Sequence, residues 1–167
     1  VDDIDRTPDD GLRYELLDGT VLVSPLPSLL HQRVIVNLLM ALHPNCPPDH
    51  EVLPRLDWRP DRHTSLQPDV LVLNDRDVET FDPDSMVLAL EVTSPQSRRT
   101  DTLAKRSRYE EGGVPNYWIV DPAEPSILAL ELVDGLYRTV GEARGHEQVT
   151  LEKPFPVTIN PAALIRR

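Results

Sequence analysis

Two stretches decide the fold: Asp69-Val70-Leu71-Val72-Leu73 and Met86-Val87-Leu88-Ala89-Leu90-Glu91-Val92-Thr93. Both are almost continuous in apolar residues, as expected for strands covered on both faces. Beyond the second, Thr100 or Asp101 opens a helix that runs to about Glu111, Gly112-Gly113 supplies a left-handed stop, and Pro115 follows. Tyr117 to Val120 is again an apolar strand, closed by Asp121-Pro122. Strand, helix and strand over 86–120 have the length of one βαβ unit.

Outward from this unit, Arg13–Leu17, Asp18-Gly19 and Thr20–Ser24 read as a hairpin, because Asp-Gly suits a tight primed turn. Ser28 is placed to cap a helix over Leu29 to Leu42, which His43-Pro44 ends. A strand is expected near 51–58, and short antiparallel strands at 126–132, 136–140, 147–151 and 157–159. Residues 74–85 are polar and read as a long loop, and residues 1–11 as an acidic, loosely ordered segment. The sum is an α/β (α+β) domain over 12–167, with a mixed central sheet, two main helices and additional short antiparallel strands.

Composition narrows the function. At 167 residues the chain fits one domain, and no window holds the ~20 apolar residues of a membrane span. A lone Cys46 excludes a disulfide framework and a cysteine-based zinc site, and a reducing cytoplasm is the simple reading. The net charge of -11 argues against a protein that coats nucleic acid nonspecifically. Yet residues 98–108 hold Arg98, Arg99, Lys105, Arg106 and Arg108 against the single acid Asp101. Fifteen arginines against two lysines make Lys105 conspicuous, since burial can shift an ammonium in pKa where a guanidinium stays charged. No Gly-rich phosphate loop and no Ser-His-Asp or Cys-His set stands out.

Asp69 and Glu91 sit where strands should be apolar. If their strands pair antiparallel, symmetric about residue 80, Leu71 faces Ala89 and Asp69 faces Glu91, with Cβ atoms ~5 Å apart. Two such carboxylates repel unless a cation lies between them, and a hard divalent ion, Mg²⁺ or Mn²⁺ rather than zinc, suits oxygen ligands. Taken singly, each acid also reads as an ordinary one, Glu91 at a strand end and Asp69 in a turn. Asp101, Lys105 and Tyr109 follow at i, i+4 and i+8 on one face of the next helix, within reach of the acids. The residue pattern alone equally allows Lys105 a solvated ion pair with Asp101.

Gln67-Pro68-Asp69, Leu90-Glu91-Val92-Thr93-Ser94-Pro95 and Asp101 through Lys105 to Tyr109 resemble the PD-(D/E)XK nuclease superfamily, and more narrowly its bacterial family of putative restriction endonucleases. Tyr14-Glu15-Leu16-Leu17-Asp18-Gly19, His31-Gln32 and Gly113-Val114-Pro115-Asn116-Tyr117-Trp118 resemble the same pattern, so the likeness covers roughly 12–138. It implies a restriction endonuclease-like fold and metal-dependent hydrolysis of phosphodiesters, most simply in DNA. Asp69, Glu91 and the Val92 carbonyl would hold Mg²⁺, and Lys105 would orient water or stabilise charge on the phosphate. The sequence departs from the superfamily at Thr93, where the standard pattern has its lysine, and Lys105 fits a lysine moved to the helix.

Weaker candidates surround this set. Glu15 reads as an outer acid of the site or, preferably, a polar residue on a wet hairpin face. His31 touches substrate or serves structure, Ser94 caps a turn or meets phosphate, and Tyr109 bonds the site or packs in the core. Arg98 and Arg99 are candidates for backbone contacts to nucleic acid, whereas Trp58 and Trp118 read as packing residues. The rivals are an inactive binding module of the same fold and a hydrolase of small phosphoesters. An acidic nuclease would gather basic surface as a homodimer or recognise a limited structure.

Overall fold

A computed structural model describes residues 1, 4–74, 82–94 and 100–166, with the backbone alone for 100–102. The expected loop largely coincides with 75–81, and Arg98, Arg99 and the Asp101 side chain also lie outside the described residues. The strands are β1 (Arg13–Leu17), β2 (Thr20–Ser24), β3 (Glu51–Pro54), β4 (Trp58–Asp61), β5 (Thr64–Leu66), β6 (Val70–Leu73), β7 (Met86–Val92), β8 (Asn116–Asp121), β9 (Ser126–Val133), β10 (Leu136–Arg144), β11 (Val149–Leu151) and β12 (Val157–Ile159). The helices are α1 (Leu29–Leu42), α2 (Arg106–Glu111) and the short α3 (Pro161–Leu164). Among the described residues, no helix is long and apolar enough to cross a membrane.

The central sheet has six strands in the order β10-β9-β8-β7-β6-β3. Within it β7 and β8 run parallel, joined through α2, while its other neighbours are antiparallel. A second sheet, β2-β1-β5-β4, and a small β11-β12 pair complete the architecture. Side chains alternate across a strand, which divides β6 and β7 between two cores. Val70, Val72, Leu88 and Leu90 face α1 through Val34, Ile35, Leu38 and Leu42. Leu71, Leu73 and Ala89 face the other way, toward Leu17, Trp58, Leu66 and Tyr109. The central strands are therefore buried twice over, which is why their sequence is apolar without alternation.

The local signals correspond closely to structure. Asp18 and Gly19 both have positive φ, 49° and 78°, as a primed hairpin turn requires. The Ser28 side chain accepts from the His31 backbone N–H at the start of α1. Three expectations are corrected. The strand expected over 51–58 breaks after Pro54, because the chain crosses from the central sheet to the second sheet, where β4 and β5 add two short strands. The helix expected from Thr100 or Asp101 begins instead as a π-helical segment, Thr100–Lys105, and becomes α-helical only at Arg106. Of the two glycines that end it, only Gly113 is left-handed, at φ 76°.

Gly112 is glycine for a different reason. A Cβ there would overlap the Trp58 indole, which is itself buried in the core that includes Tyr109. Gly112→Ala is therefore expected to lower unfolding stability by about 1–3 kcal/mol, as overpacking of a rigid core does. Urea denaturation measures it, and an unchanged midpoint would contradict the contact.

Candidate active site

β6 and β7 pair as Val70↔Leu90, Leu71↔Ala89 and Val72↔Leu88. This is the register expected from symmetry about residue 80, and it sets Asp69 opposite Glu91 one step beyond the last ladder pair. Both acids are fully buried. Neither caps a turn in solvent nor reaches water at a strand end.

Lys105 is buried as well, 1% exposed, and so is Glu15. The Lys105 ammonium donates to Glu15 Oε1 at 2.9 Å and to Glu91 Oε1 at 3.0 Å. Burial of an ammonium is tolerated only with such partners. The solvated-face reading of Lys105 is thus excluded, and so is the wet-hairpin reading of Glu15. Glu15 also accepts from the Gln67 backbone N–H at 2.8 Å, tying β1 to the segment before β6.

Asp69 has its own cations. Arg13 Nη1 donates to Asp69 Oδ1 at 3.0 Å, and the same guanidinium reaches Glu15 Oε2 through Nε at 3.4 Å. Asp69 Oδ2 accepts from the Val92 backbone N–H at 2.8 Å. His31 Nε2 stands 3.0 Å from the Val92 carbonyl oxygen and 3.3 Å from Asp69 Oδ2. Both neighbours are acceptors, so Nε2 is the ring nitrogen that donates. The expectation that close carboxylates need a cation is met by the chain itself, through Arg13 on one acid and Lys105 on the other.

Burial pushes the Asp69 carboxyl upward, but the His31 hydrogen bond, the Arg13 charge and the Val92 N–H outweigh it and hold the group below its usual 3.8. The Tyr109 hydroxyl donates to Glu91 Oε1 at 3.1 Å. Its burial, followed by the Glu91 and Glu15 charges, raises its pKa well above the usual tyrosine value. Tyr109 therefore both bonds the site and packs in the core, stacked between Trp58 and Tyr117 with ring centroids 5.0 and 5.1 Å away.

Of these groups, Arg13, Glu15, His31 and Lys105 line a cleft of about 650 Å³ together with Gln67 and Ser94, while Asp69, Glu91 and Tyr109 are fully buried and do not line it. Of the described residues of the basic strip, Lys105 lines the cleft, Arg108 is held by Asp61, Asp18 and Glu111, and Arg106 donates to the Tyr137 carbonyl. Arg13 was missed by sequence reasoning. The signal lay in the hairpin, where Arg13 and Glu15 are two apart and share one side of a strand. Among the described residues, no three His, Cys, Asp or Glu side chains form a metal-holding group. Asp69, Glu91 and the Val92 carbonyl are hard oxygen donors of the type Mg²⁺ or Mn²⁺ takes, and each is already engaged by partners of the chain itself.

Residues 1–164 match the family described as Uma2, putative restriction endonuclease. Among solved structures, a putative nuclease belonging to DUF820 from Anabaena variabilis ATCC 29413 superposes with a TM-score of 0.70. The alignment covers 98% of this chain and 96% of that one at 14% identity, a likeness of fold. No curated protein matches.

Two outcomes follow from the charge network. Lys105→Met leaves Glu15 and Glu91 without their shared ammonium and should cost about 3–5 kcal/mol in urea unfolding at neutral pH. Because the folded Asp69 pKa is depressed, its stabilisation is complete above 3.8 and is lost as pH falls through the lower folded value. The stability gap between wild type and Asp69→Asn should thus hold steady down to about pH 5 and shrink below pH 3.8. A gap that persists at lower pH would show that Asp69 titrates normally.

Proposed function

The chain belongs to the Uma2 family of putative restriction endonucleases, and we propose from that premise that it is a metal-dependent nuclease acting on DNA. The observation that carries the reading is the buried Lys105 ammonium, shared by Glu91 and Glu15 on the wall of the cleft that Asp69 adjoins through Arg13. Asp69, Glu91 and the Val92 carbonyl would hold Mg²⁺, with Mn²⁺ as a substitute. When bound, such a cation supplies Lewis acidity toward a phosphodiester and makes water a better nucleophile near neutral pH.

The chain's own residues do the rest. His31 and the Val92 N–H fix the Asp69 carboxylate, leaving it ionised. Tyr109 fixes Glu91 from the core side. Glu15 holds the Lys105 ammonium at the cleft wall, where Lys105 orients a water or stabilises charge building on the phosphate oxygens. Thr93 stands where the wider superfamily has lysine, and its hydroxyl is buried without a hydrogen-bond partner among the described residues. The ammonium arrives from the helix side instead, 90 positions along the chain from Glu15.

Incubation with plasmid, oligonucleotide and RNA in Mg²⁺ or Mn²⁺ tests the proposal. Cleavage is expected to require the metal and to fall by about 10²–10³-fold or more in Asp69→Ala, Glu91→Ala and Lys105→Ala. Cleavage that survives all three substitutions would refute the site. Hydrolysis of a nitrophenyl phosphodiester with no attack on any nucleic acid would instead favour a small-molecule phosphoesterase.

A further inference from the structure

The cleft has one feature the proposed chemistry does not use. Arg55 lines it beside Gln67 and Arg13, and its backbone N–H approaches the Asp69 carbonyl oxygen at 3.4 Å. Its φ is 37°, in the left-handed region. The other described non-glycine residues with positive φ are Asp18 and Asp134, each followed by glycine in a hairpin turn where aspartate is at ease. For a long side chain such a conformation is strained, and strain of this kind persists where the surrounding structure imposes it.

The charges around it sharpen the point. Arg13 is spent on Asp69 and Glu15, and Lys105 on Glu15 and Glu91. Arg55 is exposed and, among the described residues, has no carboxylate within ion-pair distance. In a chain of net charge -11, it is, among the described residues, the arginine or lysine of the cleft whose charge is left over for something else. A guanidinium beside a hydrolytic site suits one class of group above others, the paired non-bridging oxygens of a phosphodiester.

We propose that Arg55 is a phosphate-binding residue, held at the cleft by its left-handed backbone so that its fork grips the substrate backbone next to Asp69. This rests on the nuclease reading of the cleft and deepens it. An acidic protein that, among its described residues, offers one uncommitted arginine there grips few phosphates, so its binding carries a shallow salt dependence.

Fluorescence anisotropy of a short labelled DNA duplex with metal-free protein tests the assignment. Arg55→Gln, which leaves the backbone conformation equally strained, should weaken binding about tenfold and reduce the slope of log affinity against log salt by about 0.9. Arg55→Lys should recover part of the affinity and all of the slope, and Arg138→Gln, exposed on β10 away from the cleft, should change neither. Arg55→Gly removes the strain, so it should lose the same affinity while its Tm stays at or above that of wild type. Wild-type affinity and slope in Arg55→Gln, or no duplex binding by the wild type, would overturn the proposal. Calorimetric titration of Mn²⁺ separates this from the metal reading. Arg55→Gln should bind Mn²⁺ as wild type does, and absent Mn²⁺ binding alongside a reduced slope would sink the metal assignment and leave Arg55 standing.

Discussion

An ammonium group buried at the cleft wall and shared by two carboxylates constrains how the layers of this molecule dock. Lys105 lies at the end of a π-helical segment, Glu15 in the first hairpin and Glu91 in the central strand β7. None of the three could be buried alone without a large desolvation cost. Their mutual contact therefore requires that the second sheet, the crossover helix and the central sheet dock in a single arrangement. The candidate chemistry and the docking of the layers rest on the same three side chains.

The arrangement of the acids in two linked pairs explains how so much charge is accommodated. Arg13 bridges from Asp69 to Glu15, and Lys105 continues from Glu15 to Glu91. The result is an alternating row of charges from one end of the site to the other. Tyr109, stacked among Trp58 and Tyr117, closes the row on the core side with a hydroxyl that burial keeps protonated. Gly112, by admitting the Trp58 indole, lets the helix bearing Lys105 lie against β4.

Much of this was legible in the sequence because the relevant signals are local. The Asp-Gly turn, the Ser28 cap and the apolar runs of β6 and β7 each depend on a few neighbouring residues, and the register followed from symmetry of two runs about a loop. What the residues could not disclose was long-range. Glu15 looked like the wet side of a hairpin because nothing near it announces that a second sheet covers it. Arg13 and Arg55 are unremarkable as letters, and only the crossing of the chain between two sheets after Pro54 brings Arg55 to the cleft. The partners of Arg108 were hidden for the same reason, since the acids that absorb it come from positions as distant as Asp18 and Asp61.

The distance along the chain between Glu15 and Lys105, 90 positions, has a temporal consequence. A ribosome delivers the hairpin first, the central strand next and the ammonium last, so the paired acids exist for a time with no counter-ion from the crossover helix. Closing a loop of that span is slow relative to local turns and helices. On the proposed reading, a nascent or truncated chain that ends before residue 105 lacks the ammonium on which the chemistry depends.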